Sequence, residues 1–481
     1  MAGAAAVFPR LSLPAHSEAE KAAFAWAPFS LGALASGMGL ALGLALLPAV
    51  AGGGRVGVDY WWTRDLYHLR LQADGLSLPA ALAICALGLL VHLHLVGLRA
   101  AERSHQRAAL LLAAQGSAMG AVLAADLMAV VFFLGLTVLC LWGLAATSAP
   151  REAERLLTAG YLGGLLVLAG ALVMWQRADS TSVQDLPLLL LSAEPRTLGL
   201  IAALMLLGFL PFVSGFPAHG WLASLAPRSH SLALIPATLL LVVGATLVLR
   251  LLPGSLMLAT APGFARLSLV LGLVGLWWGA LRAWFATELG WLAVWLTVAQ
   301  AGQLLLAVSS SASPVTSGPA MQAAGLHLLA APPAVLAVWC ASSAVAARTG
   351  TDALAGLSGL WRRAPASGLA LLAGGLSLAG FPPLVGFQVQ RLLVSGLVEQ
   401  SRPVLAAAVV LADVLLAVAV VSAFRRAFLR GEPPPPVRPA PVWLSVQLAA
   451  LIAVLLALGV WASATARWGE MVSNAITLGP P

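Results

Sequence analysis

Long apolar runs, separated by short polar segments, recur from one end of the chain to the other. Most runs have roughly 18–25 residues, the length that a helix needs to cross about 30 Å of hydrocarbon. In hydrocarbon the backbone must satisfy its own hydrogen bonds, which favours helices, whereas a membrane β-barrel would alternate over segments of about ten residues. The pattern predicts an all-α polytopic membrane protein with about 13–14 transmembrane helices.

Breaks in this pattern divide the chain into five predicted segments. A polar N-terminal segment, 1–26, precedes the first span and a glycine- and aromatic-rich interfacial loop, 27–73. The transmembrane core is predicted at 74–430, followed by a proline-rich exposed linker, 431–441, and a C-terminal span and tail, 442–481. The first segment carries charges ahead of the first apolar run, so we predict no cleavable signal peptide.

Proline and glycine interrupt two of the apolar runs, the first at Pro211 and Pro217 and the second at Pro382, Pro383 and Gly386. Proline lacks a helix donor and its ring clashes with the preceding turn, so we expect each run to form a broken helix. Breaks at membrane depth occur where protein or water lines them, and paired breaks often mark a transport pathway. Simple kinks or helix–loop junctions are the alternative interpretation.

Composition supports membrane burial and narrows the possible partners. Hydrophobic residues make up 60% of the 481 residues, charged residues 9%, and the mean hydropathy is +0.94. A soluble globular chain has about a quarter charged residues, so this chain is predicted to lie in a lipid bilayer. The formal net charge is +8, and Lys21 is the only lysine. The arginines are spread through short loops, as topology determinants are, so no nucleic-acid partner is predicted.

No cofactor is predicted for this chain. Cys85, Cys140 and Cys340 each fall within an apolar run, with no pair at metal-ligand spacing, and are interpreted as small buried side chains. The sequence has no phosphate-binding loop, no dinucleotide-binding glycine pattern and no nucleophile constellation. We therefore expect it to bind no flavin, iron–sulfur cluster, nucleotide or metal ion itself.

Five short motifs follow one another along the core. They are D-G-L-S, with Asp74, Gly75 and Ser77; A-D-L, with Asp126; P-A-H-G-W-L, with Pro217, His219 and Trp221; the stretch Ala293–Ala307, with Gln300 and Gly302; and G-F-P-P-L-V-G-F, from Gly380 to Phe387. Their order resembles the antiporter-like membrane subunit family of respiratory complex I (NADH:quinone oxidoreductase). That family is related to Mrp-type cation/proton antiporter subunits and to membrane subunits of energy-converting hydrogenases.

The resemblance carries several expectations. It implies an antiporter-like inverted-repeat fold in the bacterial cytoplasmic membrane, with homologous membrane subunits of a larger complex as partners. It also implies a row of ionisable residues that carries protons, and here most of that row is missing although His327 is kept. The expected glutamate falls within Phe133–Thr137, the expected lysines on Phe212, on Gly290 and near Val335, the expected histidines on Pro236 and Ala331, and the expected charge near the second break on Gln390. The resemblance thus indicates a divergent member.

The remaining proton-path candidates are Asp126, His219, Glu288, Arg391 and Asp413. Asp413 lies in the middle of an apolar run, and intramembrane ionisable residues are costly enough to indicate function. An arginine partner on a neighbouring helix or subunit is its alternative interpretation. Asp126 is equally compatible with a helix cap, Glu288 with an interfacial carboxylate, and His219 with a structural loop histidine.

Three hypotheses follow for the function. The first is a membrane-arm subunit of a complex I-like, redox-driven proton-translocating complex, non-catalytic itself, with a degraded or vestigial proton path and a structural or coupling role. The second is an Mrp-like cation/proton antiporter subunit that uses non-standard residues, which the loss of every expected lysine disfavours. The third is a non-transporting membrane anchor for a soluble enzyme. A water path lined by uncharged groups also stays open, with Ser214, Thr238, Gln300, Gln303 and Gln390 as its members.

Overall fold

The computed structural model describes residues 18–51, 53–63, 67–98, 104–178, 180–183, 194–227, 230–251, 262–310, 318–429, 436–461 and 467–472. Its helices are α1 (Glu18–Ala51), α2 (Ser77–Gly97), α3 (Ser104–Leu123), α4 (Leu127–Ala146), α5 (Pro150–Ala178), α6 (Pro195–Phe209), α7 (Gly220–Leu225), α8 (His230–Leu251), α9 (Pro262–Trp284), α10 (Leu289–Ser310), α11 (Gly318–Thr349), α12 (Pro365–Leu378), α13 (Gly386–Glu399), α14 (Pro403–Phe424) and α15 (Val442–Val460). A short 3-10 turn (Leu360–Arg362) precedes α12, and a π-helical turn (Arg425–Leu429) continues α14.

The described helices confirm the predicted class of integral membrane protein. Ten of them are long and apolar enough to cross a bilayer, namely α1, α2, α4, α5, α8, α9, α10, α11, α14 and α15. Two further apolar stretches are each divided between two short helices, α6–α7 and α12–α13. The described part of the chain therefore has ten single helices of spanning length, and the predicted number of 13–14 is reached only by counting the divided stretches and the less apolar α3 as well.

Both predicted breaks are present as non-helical segments between two helices, so neither is a simple kink, and the other alternative, a helix–loop junction, stays open. The first break separates Phe209, where α6 ends, from Gly220, where α7 begins. The second separates Leu378, where α12 ends, from Gly386, where α13 begins. We call them the first break (210–219) and the second break (379–385). In each, helical hydrogen bonding stops beside the prolines, as expected for residues that lack a backbone donor.

A two-stranded hairpin, which the all-helical expectation did not include, occupies the predicted interfacial loop. Strands β1 (Val56–Thr63) and β2 (Tyr67–Ala73) pair antiparallel. In β2, Leu69 and Leu71 pack against the core and alternate with Arg70, which is the period-2 pattern of a half-buried strand. The Ala125 N–H donates to the Arg70 carbonyl at 3.0 Å, which joins the hairpin to the turn between α3 and α4.

The centre of the bundle is formed by α8, α10 and α11. The apolar stretches of α8 and α10 are buried throughout, whereas those of α1, α5 and α14 are mostly exposed and form outer faces. Close packing of α9 on α10 depends on glycine. A Cβ at Gly279 would lie 2.7 Å from the backbone N of Ala299, and one at Gly302 would lie 2.4 Å from that of Leu276. Small residues of this kind let membrane helices approach closely.

A buried polar network attaches the last span to the core. His94 on α2 is fully buried, with Nδ1 at 3.0 Å from Oε1 of Gln447 on α15 and Nε2 at 3.0 Å from Oγ of Ser343 on α11. The Gln447 amide also donates to Sγ of Cys340 at 3.3 Å. Gln447 Oε1 can only accept, so His94 donates from Nδ1. Upstream of α15, the described end of the predicted linker is fixed by the Arg438 N–H, which donates to the Arg348 carbonyl at 2.9 Å.

Candidate functional site

Asp413 is a buried carboxyl group in the middle of α14. It lies on the face of α14 that buries Val409 and Leu416, and it is 7% exposed. Nε2 of Gln303, on α10, donates to Oδ1 of Asp413 at 2.8 Å. Within the described ranges no arginine or histidine forms an ion pair with Asp413, so the alternative of an arginine partner finds no support inside this part of the chain. A buried carboxylate with one amide donor and no cation is costly, which makes Asp413 unusual.

A small void lies next to Gln303. Its polar lining consists of Gln300, Gln303, His327 and Ser377, and its volume is about 10 Å³. A single water molecule needs roughly 10–15 Å³ by the same measure, together with two to four polar partners. His327 is 2% exposed, and its Nε2 has no hydrogen-bond partner. The void therefore has the size and the polar groups for one water.

The second break lies beside this void and exposes polar backbone atoms to it. Gln300 Nε2 donates to the carbonyl of Leu378 at 3.0 Å, and the Gly386 N–H donates to Oγ of Ser377 at 3.2 Å. A Cβ at Gly386 would lie 1.7 Å from the Ser377 carbonyl oxygen, so only glycine fits at the start of α13. Gln390 follows one turn later, buried and without a partner for either side-chain polar atom.

Arg391 does not reach this cluster. Its side chain is exposed, and Nε donates to Oε1 of Gln388 on the same helix at 3.3 Å. Among the remaining proton-path candidates, Asp413 is therefore the one whose hydrogen-bond donor, Gln303, lines the void. Gln303, its donor, was named only as a member of an uncharged water path, because its pairing with Asp413 across 110 residues leaves no local signal in the sequence.

The first break is filled by aromatic rings. His219 stacks on Phe216, with ring centroids 5.9 Å apart, and meets the edge of Trp295 at 5.6 Å. The Arg282 guanidinium lies over the Trp295 ring at 4.8 Å, and His219 Nδ1 has no partner. Trp221, which is buried, donates from Nε1 to the Pro211 carbonyl at 3.0 Å. The tryptophan of the P-A-H-G-W-L motif thus satisfies a backbone group that the break leaves open.

Glu288 is half-buried at the start of α10, close to an ion pair that the sequence did not reveal. His230 Nε2 lies 2.6 Å from Oδ2 of Asp352, which also accepts from the Gly290 N–H at 3.0 Å. Burial raises the pKa of Asp352, but the hydrogen bond and charge of His230 outweigh it and hold that pKa below its usual value. Burial and the charge of Asp352 raise the pKa of Glu288, an effect that His230 partly offsets.

Asp126 caps α4. Its Oδ1 accepts from the backbone N–H groups of Met128 at 2.8 Å and Ala129 at 3.2 Å, and its Oδ2 accepts from the Thr181 hydroxyl. This geometry is the N-cap arrangement that the sequence offered as the alternative to a proton-path role. Both carboxylate oxygens are therefore used in fixing the helix start.

Asp74 links the start of α2 to the end of α8. Its carboxylate accepts from the N–H groups of Leu76 and Ser77 and pairs with Arg250, which also donates to the Ala124 carbonyl at 3.1 Å. Burial raises the pKa of Asp74, but the charge of Arg250 and the hydrogen bonds from Ser77 lower it by more. The pKa of Asp74 is therefore below its usual value. The D-G-L-S motif, with Gly75 at its buried turn, thus has a structural role at this surface.

Five of the positions where the resemblance expects ionisable residues are buried and carry no ionisable side chain: Phe212, Pro236, Gly290, Ala331 and Val335. The stretch Phe133–Thr137, where the glutamate is expected, has buried Leu134 and Thr137 but an exposed Leu136, and the expected charge near the second break falls on the buried amide Gln390. On α8, the hydroxyls of Thr238 and Thr246 donate to carbonyls of their own helix. Among the described buried carboxyl groups, Asp413 lies near the second break, whereas aromatic side chains surround the first break.

The sequence and the fold now define the class of the protein. The family described as NADH:quinone oxidoreductase/Mrp antiporter, transmembrane, matches residues 124–416, which is more than half of the chain. The chain belongs to this family, and the resemblance drawn from the motifs is confirmed.

Several curated relatives cover much of the chain. Formate hydrogenlyase subunit 3 of Escherichia coli K12 is 30% identical over 286 residues, which are 56% of this chain and 45% of that protein. NADH-quinone oxidoreductase subunit N of Desulforudis audaxviator is 26% identical over 78% of this chain and 76% of its own. A component of a probable K(+)/H(+) antiporter of Rhizobium meliloti is 29% identical over 74% of this chain. The chain spans 36% of that antiporter component and about half of the hydrogenlyase protein.

Solved structures share the fold over nearly the whole chain. A chain of the Mrp complex from Dietzia sp. DQ12-45-1b superposes with a TM-score of 0.82 at 19% identity, covering 95% of this chain and 93% of that one. A chain of respiratory complex I from Thermus thermophilus with bound NADH superposes with a TM-score of 0.80 at 22% identity, covering 95% and 97%. These similarities confirm the antiporter-like fold.

Proposed function

We propose that the protein is a membrane-arm subunit of a complex I-like, redox-driven proton-translocating complex in the bacterial cytoplasmic membrane. Its own role is structural or coupling, with a degraded or vestigial proton path. Electron transfer then belongs to other subunits, and homologous membrane subunits pack beside this chain.

The apolar replacement of the ionisable row carries this proposal. Phe212 is 1% exposed, and Leu134 and Val335 are equally enclosed. A proton moving through a membrane protein needs ionisable side chains or ordered water, and closely packed leucine and phenylalanine supply neither. Arginine could not replace the missing lysines, because it stays protonated at any accessible pH. The folded core is retained, so a packing or coupling role is the function that these side chains support best.

The outer helices support a place among other membrane subunits. α14 exposes Leu411, Val414 and Val418, and α5 exposes Leu162 and Leu165. Apolar faces of this kind suit lipid and neighbouring helices equally. The relatives are named as parts of hydrogenlyase, quinone oxidoreductase and antiporter systems, and the structural neighbours come from multi-subunit membrane complexes.

The test is to isolate the native assembly through a tag on this chain, in a mild detergent, and to identify its subunits by mass spectrometry. We expect homologous membrane subunits that keep the Lys/Glu sites, together with a soluble redox module. Isolation of the chain with redox subunits and no proton-translocating homologue would make it a membrane anchor. Isolation of the chain alone, active in cation/proton exchange, would overturn the proposal.

The second candidate is an Mrp-like cation/proton antiporter subunit. The buried Asp413 and the adjacent void favour it, because a carboxyl group beside water is the minimum that such exchange requires. Vesicles that contain the purified assembly, with a pH-sensitive dye inside, distinguish the two. Proton movement driven by added Na⁺ or K⁺ supports the antiporter, and movement that requires the electron donor supports the redox-driven complex.

A further inference from the structure

We propose that Asp413 and His327 form one coupled proton-binding pair, linked by Gln303 and by a single water molecule in the void. The inference rests on the proposed function, because it assigns the coupling role of this subunit to a definite pair of side chains near the second break. The link is a series of hydrogen bonds through an amide and a water. Through these bonds the charge state of one group affects the proton affinity of the other. No proton passes through the amide, so the coupling is electrostatic.

The first step is the water. His327 Nε2 is buried and has no protein partner, and Gln300, Gln303 and Ser377 line the same void. An unpaired ring nitrogen in an apolar interior is unfavourable, and a bridging water restores the hydrogen bond that it lacks. The volume of the void, about 10 Å³, matches the space that a single water needs. Ala330, Ala331, Leu378, Gly386 and Val389 complete its lining.

The second step is the direction of the hydrogen bonds. Gln303 gives one amide hydrogen to Oδ1 of Asp413. Its carbonyl oxygen can then accept from the water, which in turn accepts from His327 when Nε2 carries a hydrogen. Every bond in this chain points its positive end towards Asp413. A protonated His327 therefore favours the Asp413 carboxylate, and a neutral His327 favours the protonated carboxyl group.

The third step is the lack of competing charges. The helices packed against α14 carry charged side chains at Arg266 and Arg282 on α9 and at Arg391 and Glu399 on α13. None of these forms an ion pair with Asp413 in the described structure. The titratable neighbours of α11 are His92 and His94 on α2, His230 and Arg250 on α8, and Arg391 and Glu399 on α13. Three of these have other partners. His94 bonds to Gln447 and Ser343, His230 pairs with Asp352, and Arg250 pairs with Asp74.

The experiment is infrared difference spectroscopy of the tagged native assembly as a function of pH. The C=O stretch of a protonated carboxyl group is assigned to Asp413 by its loss in Asp413→Asn, which is nearly isosteric, and by its isotope shift after labelling with ¹³C-aspartate. In His327→Gln, which cannot become charged, we expect the proton affinity of Asp413 to change by about tenfold, a shift of about one pH unit in the titration of that band.

Two further variants separate the water from the amide. Ala331→Val fills the void and is expected to remove the water and to shift the band as His327→Gln does. Gln303→Leu removes the amide from the hydrogen-bonded link. In this background His327→Gln should no longer shift the titration of the Asp413 band. Gln390→Leu is the matched control, since Gln390 is a buried amide near the same break but has no partner, and should leave the titration unchanged.

Two outcomes would overturn the inference. One is an Asp413 titration that is the same in His327→Gln and in the unaltered protein. The other is the absence of any band that Asp413→Asn removes at any pH, which would mean a permanently ionised carboxylate. Subunit composition is scored on the same preparations. An intact assembly without coupling refutes the pair alone, whereas a chain that isolates alone refutes the proposed function alone.

Discussion

In the first break Ser214 adopts a left-handed backbone conformation, with φ of 56°, and in the second Gly380 does so, with φ of 69°. The next N–H in each case donates to a carbonyl five residues earlier, Gly215 to Leu210 at 2.8 Å and Phe381 to Leu376 at 2.9 Å. This is the hydrogen bond of a Schellman-type helix end. The helices before the two breaks therefore end with the same backbone conformation and hydrogen bond.

The surroundings of the two breaks differ. Around the first, Phe216, Trp221 and Trp295 fill the space, and a tryptophan N–H satisfies the open carbonyl. Around the second, Gln300 satisfies the carbonyl and a water-sized void lies beside it. A break opens backbone polar groups in either case, and the neighbouring side chains decide whether water can approach them. The backbone breaks thus determine where polar groups are available for a pathway. The side chains around each break determine whether water can reach those groups.

The largest effect is expected from a methyl group at the second break. Gly386→Ala would place Cβ 1.7 Å from the Ser377 carbonyl oxygen, whereas Gly220→Ala at the corresponding start of α7 meets nothing within 4 Å. Overpacking against backbone should cost about 3 kcal/mol or more in the first case. Thermal unfolding in detergent, followed by size-exclusion recovery, measures both variants. Equal midpoints for the two would show that the second break is looser than described.

The next effect compares the two side chains that satisfy an open carbonyl. Trp221→Phe removes the donor to Pro211, and Gln300→Leu removes the donor to Leu378. An orphaned carbonyl costs about 1–3 kcal/mol, less if water can replace the donor. We expect about 2 kcal/mol for Trp221→Phe and about 1 kcal/mol for Gln300→Leu, measured as free energies of unfolding. The reverse order would mean that the first break is the wetter one.

A pH effect is expected at the start of α8, the helix that follows α7, because its first residue, His230, pairs with Asp352. The pKa of Asp352 is held below its usual 3.8, so its stabilising contribution is present above that value and is lost as the pH falls below it. Asp352→Asn should therefore flatten the acid limb of a melting-temperature profile. Asp59→Asn is the control, since its pair with Arg70 is about half exposed and contributes little.

The smallest effect concerns the left-handed residues themselves. Ser214→Gly relieves a conformation that glycine adopts freely, and its buried hydroxyl has no partner, so stability should rise by about 0.5–1 kcal/mol. The exchange in the other direction, Gly380→Ser, should destabilise by a similar or larger amount, because its Cβ would lie 2.3 Å from Cγ of Gln390. Chemical unfolding resolves such differences. Stabilisation by both variants would contradict the shared geometry.

The sequence predicted the spans and both breaks because hydropathy and proline act locally. Asp413 was recognised as an intramembrane charge for the same reason. Its donor Gln303, and the pairing of His230 with Asp352, join residues 110 and 122 positions apart, and no spacing rule connects such residues. The hairpin was not predicted because the aromatic residues Trp61 and Trp62 are typical of an interfacial loop. The alternation of Leu69, Arg70 and Leu71 is nevertheless that of a strand.

The network of His94, Ser343 and Gln447 also constrains how the protein is made. His94 belongs to α2, and Gln447 to α15, which is synthesised 353 residues later. Until α15 is synthesised, the His94 ring inside the nascent bundle lacks its Gln447 partner and must be hydrated or unpaired. The network around His94 is therefore completed only when α15 has left the insertion machinery. A chain that lacks α15 should remain open to quality-control proteases at α2, even though all earlier spans have inserted.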